Sequence, residues 1–192
     1  AAPELAGISS WINSEPLKLS ELKGKVVLVD FWTYSCINCI RTLPYLKMWD
    51  NEYSDSGLVI IGVHSPEFDF EKELNNVQKA VEKYGIKYAV ALDNEHETWR
   101  AFKNNYWPHK YLIDIEGRIR YDHIGEGGYD KTEQVIRELL KERAGKVKEK
   151  LIVPQEAGSP ENVIGVNFTF IATPELYLGY EYARVNLGNE EG

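Results

Sequence analysis

The residues best equipped for chemistry are Cys36 and Cys39, the only two cysteines in the chain, separated by Ile37 and Asn38. On a helix, this spacing puts both sulfurs on one face, close enough to close a disulfide. An apolar run, Lys25-Val-Val-Leu-Val-Asp-Phe-Trp, precedes them and reads as a buried strand. After Thr33-Tyr34-Ser35, a helical pattern begins at Cys36 and continues through Ile40, Leu43, Leu46 and Tyr53. Cys36 is thus expected at the first turn of a helix leaving the carboxyl end of a strand. Unpaired backbone N–H groups and the helix dipole favour an anion there, so its thiol should ionise readily. Thiols of Cys-X-X-Cys pairs have pKa values from ~7 down to ~3.5, against ~8.5 for free cysteine. Cys36 is therefore read as the attacking sulfur, and Cys39, one turn deeper, as the one that resolves the mixed disulfide.

Two other uses of the pair are weaker. A zinc site needs about four ligands, and His64, His96, His109 and His123 are scattered, none at a ligand-like spacing from another. A structural disulfide closing so short a loop would constrain the unfolded chain little. A chain of this size also buries about 70% of its unfolded surface and needs no staple.

The string Asp30-Phe-Trp-Thr-Tyr-Ser-Cys-Ile-Asn-Cys-Ile-Arg-Thr-Leu-Pro44 resembles the thioredoxin superfamily. Within it, the string is similar to the TlpA-like branch and to the extracytoplasmic thioredoxin-like domain of DipZ-type membrane proteins, relatives of the DsbD and CcdA electron carriers. The resemblance covers roughly residues 5–143. It departs from the thioredoxin pattern in having Ser35 before the first cysteine and Ile-Asn between the two, so no reduction potential carries over. The resemblance implies an α/β thioredoxin-like fold: a central mixed β-sheet flanked by helices, an N-terminal hairpin and one inserted strand–helix unit. It implies a redox-active Cys36/Cys39 disulfide with no other cofactor, protein disulfide substrates, a CcdA/DsbD-like membrane electron donor and a place outside the cytoplasm. Asp30 would be the buried acid that shuttles a proton for Cys39. Pro108 would be the cis-proline that shapes the substrate groove. Trp107, Trp32 and Tyr34 would form the aromatic border of that groove, with core packing as the other reading of Trp32 and Tyr34.

Composition is compatible with this reading. The 192 residues are 43% hydrophobic and 12% aromatic, and no apolar run approaches the ~20 residues of a membrane span. A net charge of −8 argues against a nucleic-acid partner, since phosphate binding needs a basic face. Ala1-Ala-Pro-Glu shows no signal peptide, so the chain is either cytoplasmic or has lost a leader or membrane segment.

The remaining elements follow the same punctuation. Trp11, Leu17, Leu19 and Leu22 are read as core, within the N-terminal hairpin. Leu58-Val-Ile-Ile-Gly-Val-His64 is a second central strand; Ser65-Pro66 should start a helix that ends at Gly85. Residues 88–92 form a short strand, and Asp93 and Asn94 offer caps for a helix carrying Trp99 and Phe102. Residues 110–114 and 118–124 make an antiparallel hairpin across Glu116-Gly117, and residues 129–143 a last amphipathic helix. The thioredoxin-like domain is assigned to residues 1–145. Residues 146–192 are a linker and extension, which the resemblance to DipZ-type proteins implies is the truncated start of a β-rich module.

His64, at the end of a strand, is read as structural, and Arg41 as a solvated neighbour or an electrostatic support for the thiolate. Two competing functions are carried forward. Thr33 and Cys36 have the Thr-X-X-Cys spacing of a peroxiredoxin-like thiol peroxidase, although Val29 stands where its proline belongs. The acidic, aromatic tail, with six Glu and one Arg from residue 151 onward, could instead make the chain a binding module.

Overall fold

Seven consecutive buried residues, Val26–Trp32, form the central strand of the sheet. They pair in parallel with Leu58–His64 on one side and antiparallel with His109–Ile113 on the other. A strand covered on both faces and paired on both edges must be apolar throughout. In this one Asp30 is the exception. The computed structural model describes residues 1–147, 157–160 and 163. In chain order its strands are β1 (Ser10–Ile12), β2 (Val26–Trp32), β3 (Leu58–His64), β4 (Ala89–Leu92), β5 (His109–Ile113) and β6 (Ile119–Ile124). Its α-helices are α1 (Ile37–Tyr53), α2 (Leu74–Tyr84), α3 (Glu97–Ala101) and α4 (Tyr129–Val147). The strands form one mixed sheet in the order β1-β4-β3-β2-β5-β6. The expected inserted strand–helix unit is β4 with α3, and it places β4 in parallel beside β3.

Because side chains alternate across a strand, β2 divides the interior in two. Val26, Leu28 and Trp32 join Leu43, Leu46 and Trp49 of α1, Val77 and Val81 of α2, and Ile136, Leu139 and Leu140 of α4. Val27, Val29 and Phe31 point the other way, against Leu19, Phe102, Tyr111 and the partly buried Trp11, Leu17, Leu22 and Trp99. Burying one such side chain contributes about 1.5–3 kcal/mol, so both faces of the sheet bind their covering elements.

Three local expectations are corrected. The N-terminal segment does not form a hairpin. It sends one strand, β1, to the sheet edge, where it pairs antiparallel with β4, while Leu19 and Leu22 lie in a 3₁₀ turn, Leu19–Leu22. The helix expected from Ser65-Pro66 starts later. A 3₁₀ turn, Asp69–Lys72, comes first, because the buried Ser65 hydroxyl donates to Asp93 Oδ2 at 3.2 Å instead of capping a helix. Asp93 itself does cap α3, accepting from the N–H groups of Thr98 (3.1 Å) and Trp99 (2.8 Å). The last helix runs past the expected end to Val147, since buried Arg143 anchors its final turns by donating from Nε to Gly24 O at 2.7 Å. Gly85 closes α2 in the left-handed conformation, φ 62°, as its position implied. The rest of the extension lies outside the described residues, except for a short piece at which the Ala157 N–H donates to Glu133 Oε1 of α4 at 2.6 Å.

Candidate active site

The turn after β2 delivers Cys36 to the start of α1 as its N-cap. Its backbone is extended, and its Sγ accepts the Cys39 N–H at 3.4 Å. The sulfur thus takes the place of a capping oxygen among orphan N–H groups. Both cysteines are free thiols, Cys36 half-buried and Cys39 buried. The donating Cys39 thiol first, and the N–H groups of Cys39 and Asn38 behind it, lower the Cys36 pKa against the opposing effect of burial. Burial, reinforced by the neighbouring Cys36 sulfur, pushes the Cys39 thiol well up. The pair is therefore polarised: one sulfur is ready as a thiolate, and the other keeps its proton until a base removes it.

Asp30 supplies a base of suitable strength. It is 1% exposed, and its Oδ1 has no hydrogen-bond partner. Burial raises its pKa to about 7, opposed by the charge of Lys110. A carboxyl titrating near neutrality can both take and return a proton. The reciprocal effect is seen at Cys39, whose thiol is pushed further up by the Asp30 charge.

The Trp107–Pro108 peptide is cis, and Pro108 O accepts the Gly125 N–H at 2.8 Å. This ties the start of β5 to the glycine loop after β6. Trp107 is partly buried. Its Nε1 donates to Ser65 O at 2.9 Å, and its ring lies 4.2 Å from that of Trp99. Tyr34 stacks on His64 at 5.6 Å and meets Phe70 edge-on at 6.2 Å. Trp32 must be moved from groove to core: it is fully buried and packs edge-on against His64 at 5.3 Å. An even-numbered position on β2 points it inward under α1, where no substrate reaches.

His64 has the structural role expected of it. Its Nε2 lies 3.3 Å from both Thr33 Oγ1 and the Tyr34 N–H, so it props the turn that precedes Cys36. Burial lowers its pKa to about 4, so it is neutral at neutral pH. Thr33 is fully buried with its hydroxyl on His64, which removes it from the role a peroxidase threonine would need. Arg41 is partly buried, and its Nη1 pairs with Glu126 at 3.4 Å. Among the described residues no cluster of metal-ligating side chains occurs.

Two residues that sequence reasoning passed over belong to the site. Glu71, buried, accepts from Ser35 Oγ (2.5 Å) and from the N–H groups of Glu67 (2.6 Å) and Phe68 (3.0 Å). Although burial works to raise its pKa, these bonds lower it and keep the carboxylate ionised. It fastens the 67–72 turn beside the cysteine loop and holds Phe68 and Phe70 outward, stacked at 5.5 Å. With Ile37, these leave apolar surface next to Cys36: the three are 44%, 52% and 50% exposed. The second is Lys110, 1% exposed and directly opposite Asp30 in the β2/β5 register. A lysine at an inward position of a core strand was the available signal.

Comparison with known proteins places the site in a group. A family model described as Redoxin matches residues 6–140. The DipZ protein of Mycobacterium bovis is 45% identical over 181 residues, which is 93% of this chain and 25% of that protein. The thiol-disulfide oxidoreductase YkuV of Bacillus subtilis is 27% identical, over 73% of this chain and 94% of its own. The crystal structure described as a thiol:disulfide interchange protein DsbE from Chlorobium tepidum superposes with a TM-score of 0.63 at 26% identity, covering 72% of this chain and 94% of that one. The chain spans a quarter of the length of the DipZ relative.

Proposed function

The chain belongs to the Redoxin family, and on that premise we propose that this thiol–disulfide oxidoreductase works as a disulfide reductase on protein substrates outside the cytoplasm. The observation that carries the reading is the division of labour between the two sulfurs. Cys36 is accessible, at a helix N-terminus and favoured as thiolate, while Cys39 is buried and favoured as thiol.

The Cys36 thiolate attacks one sulfur of a substrate disulfide, forming an S–S bond and releasing the other substrate sulfur as a thiolate. Cys39 gives its proton to Asp30, and its sulfur then attacks Cys36 Sγ. The bond to substrate breaks, its electron pair leaving on the substrate sulfur. The substrate gains two electrons, and the dithiol becomes the Cys36/Cys39 disulfide, which is the only redox group this cycle needs. Pro108 and Trp107 lie at the start of β5, positioned to hold an extended substrate segment. Tyr34 and the exposed Phe68 and Phe70 offer apolar contact for the residues that flank its cysteine.

Returning the disulfide to the dithiol requires a donor. The similarity to DipZ over 93% of the chain supports a membrane electron donor of the CcdA/DsbD kind. It also supports an extracytoplasmic setting, where substrate disulfides persist. No helix among the described residues is long and apolar enough to cross a membrane, so such a donor would lie on another segment or chain.

Equilibration in graded dithiothreitol or glutathione buffers, read by thiol alkylation, gives the reduction potential. A value near roughly −270 mV fits a reductase; one near roughly −120 mV would mean an oxidant and remove the membrane donor. In parallel, Cys39→Ala should accumulate a mixed disulfide through Cys36. If that variant captures no disulfide-linked partner, the assigned roles are wrong.

A further inference from the structure

The loop that carries Trp107 and Pro108 is tied down by a buried histidine that the redox chemistry does not use. His109 is 5% exposed and Asn104 3%. The β2/β5 register sets His109 opposite Phe31, on the sheet face where Phe31, Phe102 and Tyr111 pack, away from Cys39. Its ring is engaged at both nitrogens. Nδ1 lies 2.5 Å from Asn104 Oδ1, and Nε2 lies 2.9 Å from Asp122 Oδ2 on β6. Asn104 joins the loop to α3: its Nδ2 donates to Tyr106 O at 3.1 Å, and its backbone N–H to Trp99 O at 2.9 Å. The Trp107 ring continues the connection, 4.2 Å from that of Trp99.

Counting donors and acceptors decides what this ring must be. Tyr106 O orients the Asn104 amide, because the flipped orientation would set two carbonyl oxygens against each other. The amide oxygen therefore faces Nδ1, and a contact of 2.5 Å needs a proton between them. The Asp122 carboxylate can only accept, so the contact at Nε2 needs a proton as well. Neutral imidazole carries one N–H and imidazolium two. Tyr111 OH, 3.0 Å from Nδ1, leaves the count unchanged, since it is free to turn its hydrogen toward Asn104 Oδ1, 3.5 Å away. The titratable groups facing the ring are Asp122 and His123 from β6, Lys110 and Tyr111 from β5, and Tyr106 from the loop, 6.4 Å away. From β2 it meets only Phe31. Burial lowers the His109 pKa, Lys110 and His123 add to this, and the hydrogen bond and charge of Asp122 oppose it. The second proton is thus taken up on acidification, below the ordinary histidine range. Nδ1 keeps the first, so a neutral ring turns a lone pair toward Asp122 and its tie to β6 is lost.

We propose that His109 is a positioning residue for protein substrates, a brace whose two N–H groups hold the Trp107–Pro108 loop, through Asn104, against β6 and so fix one wall of the substrate groove. With both nitrogens bonded, the ring cannot turn about its Cβ, and the loop takes one position. With the β6 end free, only the bond to Asn104 remains, and the ring and loop can shift together. The proposal rests on the reading of this loop as the place where an extended substrate segment is held. It gives His109 no contact with substrate or sulfur, and a small disulfide that spans no groove has no need of it.

The test follows single-turnover oxidation of the reduced protein across pH, once by insulin and once by hydroxyethyl disulfide. Titration of Cys36 affects both rate constants alike, so their ratio reports the groove. In the wild-type protein the ratio should fall about three- to tenfold as pH rises through the His109 titration, the equivalent of one hydrogen bond. Asp122→Asn should keep the ratio flat at its low-pH value, because an amide can turn an N–H toward the neutral Nε2. His109→Phe should hold it flat at the lower value. His96, whose ring lies 6.4 Å from that of Trp107, is present in both variants, so a pH step of its own would survive in them. A wild-type ratio that does not change with pH, or one that changes equally in Asp122→Asn, overturns the proposal. A second measurement needs no variant. In ¹⁵N-histidine-labelled wild-type protein, His109 should show both nitrogens protonated below its titration and Nδ1 alone above it, with the Trp107 amide shift following. A neutral ring protonated at Nε2, or a Trp107 amide that ignores the titration, also overturns the proposal. A wild-type protein that reduces hydroxyethyl disulfide but no protein disulfide at any pH overturns the reductase reading instead, and the NMR measurement still decides His109.

Discussion

The acid proposed to serve the buried thiol should leave a mark on stability as well. Asp30 has its folded pKa raised from 3.8 to about 7 by burial, so the fold favours its neutral form. Its contribution to stability is complete below about pH 4 and is lost as pH rises through about 7. A shift of this size is on the order of 4 kcal/mol. Asn cannot ionise, so Asp30→Asn should gain on wild type by up to that amount as pH rises from about 4 to 8. His64, with its folded pKa lowered to about 4 from 6.5, acts with the opposite sign in an overlapping window: its contribution is present above about 6.5 and lost as pH falls. It is common to both proteins, so the difference between them isolates Asp30. Urea midpoints at several pH values check this, and a difference that does not change with pH would mean Asp30 is not titrating there.

Among the elements, β3 has little room for change at its glycine. Gly62 is the register partner of Asp30 on the parallel side of β2. A Cβ added to it would meet Trp32 Nε1 at 2.9 Å and Tyr88 Cε2 at 3.2 Å. Both rings belong to one buried cluster, so neither can swing away. Gly62→Ala should therefore destabilise the protein by about 1–3 kcal/mol through overpacking, seen as a lower urea midpoint with an unchanged slope. A variant as stable as wild type would show that the sheet next to Asp30 relaxes more easily than its packing implies. The same element explains why the turn after it is 3₁₀. With Ser65 committed to Asp93, and the Glu71 carboxylate to two N–H groups of its own turn, regular helix starts only at Leu74.

At the scale of the whole molecule, the sheet with its two cores accounts for residues 1–147, and the described part of the extension meets it at the hydrogen bond from Ala157 to Glu133. Ala157 also packs against the core cluster. A protein ending at Val147 retains both cysteines, Asp30 and the cis Trp107–Pro108 peptide, and should fold and keep both its reduction potential and its rate of protein disulfide reduction. Thermal unfolding together with an insulin-reduction assay checks this. Lost activity in a folded truncated protein would place part of the substrate site in the extension and revive the binding-module reading.

The sequence by itself determined the local parts of this protein. The apolar run of β2, the cysteine spacing with its helix, the glycine after α2 and the antiparallel pair at the end each follow from residues within a few positions of one another. It was silent or misleading wherever a partner came from far along the chain. The N-terminal strand went to β4 rather than into a hairpin because Ser10–Ile12 finds its hydrogen bonds on Ile12↔Val90 and its neighbours. Ser65 turned to Asp93, and Trp32 went inward. Lys110 entered the site for the same reason: 80 positions after Asp30 in sequence, it is brought opposite by strand register. A raised carboxyl, a polarised pair of thiols and a buried cation depend on what surrounds each group in space, and burial and register are properties that only the assembled sheet has.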